Sequence, residues 1–353
     1  MPAPSTGTPP IGALAKLWIA SALPFVRDTA QCFEFMGEGM SARGVNAQND
    51  AIRGTRSIPR ERNRRVAVVC SGQITLTPSK TELATLLPFI LGAAQTGSGT
   101  SGSPYVYAIS ERLPPFQMLI QKVDTGVTSH TKAVYLYENC FVSRATFSAA
   151  QGGLLTVTLD IEASTEKYYA HSGLSTGFDG VTDVVQHSGS PVTVVPTTVP
   201  DTNTRWVFHD TQGANGLFTI GGADREVFDW SLTIDNMLDT TRQMNSLYRR
   251  SIPALGRSVQ MAATIPFTTA EDEFYDMAVN SASPDVNDNN IRFYAELGTN
   301  DDVLDVVIGT WNTEPVTPVV SDKGEVVLAL SGPLERKNTS TAKDEIGFRM
   351  WTT

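Results

Sequence analysis

Four histidines, three cysteines and a run of clustered arginines are the residues of this 353-residue chain whose types could support chemistry. The histidines, His130, His171, His187 and His209, sit in no triad or metal spacing, and His209-Asp210 is a pair by adjacency alone, the pattern of a polar turn. There is no H-E-x-x-H and no Walker run. One string has the spacing of a calcium loop: Asp285, Asn287, Asn289 and Glu296 fall at its first, third, fifth and twelfth positions. Asn290 stands where the sharp turn of such a loop wants glycine, and 291–297 reads as a strand, so the string is read as a polar turn leading into a strand. Catalysis therefore has no constellation to rest on, and neither an enzyme, a metal nor a cofactor is expected.

The arginines are a different kind of signal. Arg53, Arg56, Arg60, Arg62, Arg64 and Arg65 fall within thirteen positions, and a second group comprises Arg242, Arg249, Arg250 and Arg257. Nucleic-acid binding would want aromatic side chains interleaved with these cations, and the first group has none. It would also sit badly with 27 Lys+Arg against 37 Asp+Glu, a net charge of −10. A solvated charged loop is the plain reading. Recurrence in two places favours a self-assembly role, with basic loops meeting acidic surfaces of a neighbouring subunit. An acidic wall also suits a surface past which nucleic acid slides without sticking, although solubility explains the same charge.

The elements that carry these loops repeat. Arg56-Ser57-Ile58-Pro59 recurs as Arg250-Ser251-Ile252-Pro253, 194 positions on, and Phe33-Glu34-Phe35 recurs as Phe228-Asp229-Trp230, 195 positions on. Downstream, each copy runs through an alternating apolar stretch to a proline (Pro78, Pro266), then an acid-led amphipathic segment (82–91, 271–279). Each ends on a Gly-led apolar run, 153–159 and 324–330. A tandem pair of one unit is the natural reading, and such pairs build symmetric objects.

Length fits two domains of about 150 residues. With 41% hydrophobic residues, 28 Gly and 20 Pro, the chain can bury real cores and make many turns. Short runs of Val, Ile, Leu, Thr and Tyr predict mainly β domains with one helix each. In the first copy, strands are expected at 32–36, 66–77, 116–124, 134–137, 140–149 and 154–161. Residues 37–65 are expected to form a long polar loop. Leu83, Leu86, Leu87 and Ile90 predict a helix over 81–91 that Gly92 stops. In the second copy the strands are expected at 228–234, 259–265, 291–297, 303–311 and 325–330, with a polar loop over 235–257 and a helix over 270–279. Residues 11–26 are apolar but carry Lys16 mid-run and are too short to span a bilayer. They read as an N-terminal arm or short helix. Cys32, Cys70 and Cys140 show no disulfide or zinc framework, and the latter two read as buried small hydrophobes. The resulting division is an arm (1–30), a first domain (31–170), a Gly/Ser/Thr/Pro-rich linker or inserted hairpin (171–204) and a second domain (205–353).

Three stretches carry a family resemblance: 72–92 (strand, Pro, acid-led Leu-rich helix, Gly); 135–147 leading into Gly152-Gly153-Leu154; and Phe228-Asp229-Trp230-Ser231-Leu232-Thr233-Ile234-Asp235-Asn236. In ordered combination over most of 30–350, the chain resembles the tail tube proteins of long-tailed, non-contractile phages, some of which carry the fold twice. That resemblance implies tandem β-sandwich domains, each with a flanking helix, whose inner strands join those of other subunits around a lumen. It implies stacked rings, three duplicated chains giving pseudo-sixfold symmetry. The implied partners are further copies of the chain, a tape-measure protein in the lumen, terminator and distal tail proteins, and double-stranded DNA in transit. The implied location is the virion, after synthesis in the host cytoplasm. It places the arginine loops where rings stack. A distal tail, baseplate or secretion-tube component of related fold is the alternative. A carbohydrate-binding β-sandwich, suggested by Trp206, Trp230 and Trp311, is a weaker one, since two of these lie inside strand patterns.

Overall fold

The computed structural model describes residues 15–21, 30–47, 64–122, 130–150, 152–174, 184–187, 190–193, 205–207, 218–220, 223–241, 246–249, 251–267, 285–286, 289–297, 300–314, 326–335 and 345–352. The first half runs β1 (Lys16–Ala20), β2 (Gln31–Phe33), β3 (Gly37–Glu38), β4 (Ser41–Ala47), β5 (Arg64–Leu76), α1 (Lys80–Leu91), β6 (Tyr105–Tyr107), β7 (Phe116–Lys122), β8 (His130–Ala150) and β9 (Thr156–Leu174). A hairpin follows, β10 (Val184–His187) with β11 (Ser190–Thr193). The second half continues with β12 (Phe218–Ile220), β13 (Ala223–Asp224), β14 (Asp229–Asp235) and β15 (Ser258–Pro266). It ends with β16 (Asp285–Val286), β17 (Asn289–Leu297), β18 (Asn300–Ile308), β19 (Thr310–Asn312), β20 (Val327–Glu335) and β21 (Ile346–Thr352). The protein is mainly β, with one helix among the described residues.

A 13-stranded sheet and a six-stranded sheet carry most of these elements. In the larger, β4 and β3 pair with β5, β5 with β9, β9 with β8, β8 with β14, β14 with β15, β15 with β20 and β20 with β19, all antiparallel. The crossing from one half to the other is the β8–β14 pairing, Ala150 opposite Asp229 through Arg144 opposite Asp235. The smaller sheet also draws on both halves, since β6 pairs with β21. Strict alternation makes this possible: Trp230, Leu232 and Ile234 point inward from β14, and Met261, Ala263 and Ile265 from β15. These side chains, with Phe147, Leu159, Leu304 and Phe348, belong to one continuous core drawn from both halves. Phe147 of β8 and Phe348 of β21 touch at 5.0 Å between ring centroids, joining the two sheets.

Several expectations change. The polar stretch 37–65 is not a loop throughout, for it holds β3, β4 and the start of β5. Ser41–Ala47 shows no alternation because it is exposed on both faces, so a strand there leaves no hydrophobic pattern. The two strands expected at 134–137 and 140–149 are one strand, β8, with an irregularity where Glu138 and Asn139 oppose only Gln117. Asn139 takes φ 50°, the left-handed region that asparagine tolerates, as a β-bulge requires. Of the apolar stretch 11–26, Lys16–Ala20 is a strand held between β7 and β2, not a helix. The helix expected at 270–279 lies outside the described residues.

α1 forms as its sequence dictates. Ser79 accepts from the Glu82 amide while Glu82 accepts from the Ser79 amide, a reciprocal capping box, and Gly92 ends the helix at φ 96°. Its Leu83, Leu86, Leu87 and Ile90 are buried against the sheet.

Candidate functional site

The alternation that buries one face of the large sheet dictates what the other carries. One row across it is Gln73, Asp160, Arg144, Asp235 and Ser258, each opposite the next. The adjacent row is Thr75, Thr158, Thr146, Thr233 and Gln260. A third holds Thr156, Ser148, Ser231, Ala262 and Ser331. Hydroxyls and amides thus line a surface that passes from first half to second without a break. Side chains bond along the rows: Gln73 Nε2 donates to Asp160 (2.9 Å), Thr146 and Thr233 share a bond (3.3 Å), and the Arg144 guanidinium donates to Asp235 (3.0 Å). Asp229 accepts from Thr264 Oγ1 (2.9 Å). Asp160, Glu162, Asp229 and Asp235 supply the negative charge, and a groove of about 540 Å³ opens at the end where Arg144, Asp160, Glu162 and Asp235 meet. Such a wall offers phosphates few cations and many short polar groups. It suits passage better than capture.

Two buried polar nodes tie distant segments of the chain together. Asn236, at the end of β14, donates through Nδ2 to the Ile90 and Val142 carbonyls, and its Oδ1 accepts from Arg257 Nε. Arg257 also donates to the Ser110 carbonyl (2.7 Å), so one guanidinium ties the start of the second half to the region around the end of α1. Glu82, fully buried, accepts from the Glu34 and Ser79 amides and from Arg205 Nη1 (3.0 Å). Burial pushes its carboxyl above the usual range, against the pull of the Ser79 amide, Arg205 and the Glu34 amide. Arg205 also pairs with Glu34, and Trp206 beside it is fully buried, which fixes the chain returning from 175–204 on the first half.

Of the arginines singled out from sequence, Arg53, Arg56, Arg60, Arg62, Arg242 and Arg250 lie outside the described residues. Arg64 opens β5, and Arg65 is exposed beside it, its Nε covering Gly44, where an added Cβ would approach to 2.9 Å. Arg249 is buried and pairs with Glu162 of β9, and the neighbouring Leu247 carbonyl accepts from the Val68 amide of β5. Within the chain, then, Arg249 and Arg257 fasten the second half's long loop sideways onto the first half. The Thr/Ser face itself was missed by searching for charged or catalytic motifs. Its signal was the polar member of each alternating pair.

The calcium-like string does not form a loop where it is described, since Asn289–Leu297 is an extended strand with Glu296 opposite Asp301. One glycine spacing lacks the context its chemistry needs. Gly97-Ser98-Gly99-Thr100-Ser101-Gly102 forms a tight turn in which the Ser98, Gly99 and Thr100 amides all donate to the Ser103 carbonyl, with β6 and not a helix after it. Trp206, Trp230 and Trp311 are all buried in the core and present no ring for sugar stacking.

No helix among the described residues is long and apolar enough to cross a membrane. A family model described as phage tail tube protein matches residues 3–333. No curated protein compared with the chain gives a significant match.

Proposed function

The chain belongs to the phage tail tube protein family, and from that premise we propose that it polymerises as stacked rings forming the conduit for the genome, the polar face lining the lumen. Its role is structural and its place is the phage tail. The observation that carries the finer reading is the sheet that runs unbroken through both halves, apolar on one face and Ser/Thr/Asp-lined on the other. Such a sheet has two ends within one chain, and a ring of chains consumes both.

The same order of antiparallel neighbours occurs twice, β4/β3–β5–β9–β8 and β14–β15–β20–β19, which supports a duplicated unit and domains divided near 205. Three such chains place six units around the axis, the closed symmetry proposed for the ring. A tape-measure protein inside the growing tube, terminator and distal tail proteins at its ends, and DNA in transit are the partners this role requires. The arginines among residues 48–63 are proposed to contact neighbouring copies, between rings or within one. The mechanism is mechanical: closure into rings, stacking, and a lumen wall that repels phosphate.

Negative-stain microscopy of the purified chain, with and without tail-tip complexes, tests the reading. Hollow tubes with a regular ring repeat are expected, three chains to a ring. Rings that stop at one or two layers would favour the distal-tail alternative, and no assembly under either condition would overturn the proposal.

A further inference from the structure

The β8–β14 pairing is a joint between equivalent units already built inside one chain, and its register specifies the joint between chains. In the first half, Gly39 stands two residues after Gly37, which is opposite Thr75, and Gln73, Asp160 and Arg144 continue that row across β5, β9 and β8. The Gly39 amide donates to the Gln73 carbonyl, which fixes Gly39 in the row. In the second half, Ser231, Ala262 and Ser331 form a row across β14, β15 and β20, and the Glu314 amide donates to Ser331, placing Glu314 at its end.

Two independent landmarks make the rows equivalent. The Gly-led runs that precede β9 and β20 align Gly153 with Gly324, which carries Asp160 onto Ser331. The backbone bond that opens each unit, Met36 amide to Thr75 carbonyl and Phe228 amide to Thr264 carbonyl, carries Gly39 onto Ser231; Phe33, which the sequence repeat sets against Phe228, lies in β2 against β1 and is not its structural counterpart. Both give the same result: Glu314 occupies in the second unit the position Arg144 occupies in the first. On the strand facing it, Asp235 lies four residues beyond Ser231, and the residue four beyond Gly39 is Arg43.

Inside the chain, Arg144 is paired with Asp235 at 3.0 Å across the joint. The equivalent pair across the open joint is Glu314 with Arg43, opposite charges with the polarity exchanged. Arg43 and Glu314 are both exposed in the chain, and so is the strand that bears Arg43.

We infer that the edge formed by β3 and β4 receives the second half of another copy of this chain, antiparallel, with Arg43 of one copy opposite Glu314 of the next. The occupant is a second copy because the joint reproduces one the chain makes with itself, and the inference rests on the ring reading above. It adds the two edges that meet, their register and the ion pair that selects it. A register slip of one residue would turn Arg43 to the other face, so the pair excludes mispaired rings as well as attracting correct ones.

Charge exchange tests this. Arg43→Glu and Glu314→Arg are each expected to raise the concentration needed for assembly about tenfold or more, since each places like charges opposite one another at every chain-to-chain joint. The double variant Arg43→Glu/Glu314→Arg is expected to return assembly to the wild-type range. A second measurement uses Arg43→Cys/Glu314→Cys. Opposed residues of an antiparallel pair lie within disulfide reach, so mild oxidation of assembled protein should yield covalent multimers and oxidation of dilute, unassembled protein should not. The native thiols do not interfere, because burial pushes Cys32 and Cys70 up to about 11 and Cys140 higher than its ordinary value. Tubes that tolerate both single reversals, or that form without cross-linked multimers on oxidation, would overturn the joint and leave the tube reading standing. A wild-type chain that never assembles would remove both.

Discussion

Glu82 shows how much depends on single polar groups in this core. Its carboxyl is fully buried and pushed up by burial, so the folded state holds its proton at higher pH than the unfolded chain does. Its contribution to stability is therefore fully present below the ordinary carboxylate range and is lost as pH rises through its elevated value. Replacing Arg205 with Met removes the cation that keeps the ionised form tolerable. The variant is expected to differ little from wild type near pH 4, where Glu82 is protonated in both, and to fall about 3–5 kcal/mol below it by about pH 8. Urea titrations at the two pH values check this, and a pH-independent gap would show that Arg205 acts through packing alone. Asn236→Ala should cost about 2–4 kcal/mol, because it strands the Ile90 and Val142 carbonyls and one Arg257 donor together. An exposed neutral site such as Gln260→Ala provides the comparison.

At the scale of elements, the chain ends and bends its strands and helix at positions where only particular residues fit. Gly92 stops α1 at φ 96°, and a Cβ there would lie 2.5 Å from the Arg112 carbonyl oxygen. Gly92→Ala should lower stability by about 1–3 kcal/mol, read as a fall in Tm with unchanged far-UV spectrum. Gly72 is tighter in another way: a Cβ would collide with the Gly39 carbonyl and the Met40 Cα, both in the link between β3 and β4, which pair with β5. Gly72→Val is expected to detach β3 and β4 locally, seen as faster amide exchange over 37–47, and to impair ring closure more than stability. The joint inferred above uses that same edge, so Gly72 links a local backbone contact to assembly.

For the whole molecule, the continuous core and the two shared sheets predict one cooperative unfolding transition for the unassembled chain, not separate melting of two units. Calorimetry showing two resolved transitions would argue that the halves are only loosely coupled. The lumen assignment makes a second demand. Assembled wild-type tubes should retain double-stranded DNA weakly, and Gln260→Lys should add a phosphate contact for each chain facing the duplex. Retention should then weaken with salt, with a log–log slope of about −0.9 for each phosphate engaged. No change on adding the cation would place Gln260, and its row, away from the DNA path.

Alternation in 229–235 and 258–266 was enough to show strands with one buried face, and Leu83, Leu86, Leu87 and Ile90 followed by Gly92 were enough to show a helix and its end. Those signals are local, since backbone geometry sets the period and the caps, and the sequence carries them without reference to partners. The strand 41–47 was illegible because, among the described residues, none of its side chains is buried on either face, so no hydrophobic period could be written there. The repeat of motifs suggested two units but not how they meet. Only the tertiary structure decided that β8 pairs with β14, that Arg249 and Arg257 fasten the second loop to the first half, and that the Ser/Thr rows align into one surface. Pairings between residues 80 or more positions apart depend on register, and register is fixed by packing of the whole core against both sheets, a property no short stretch of sequence contains.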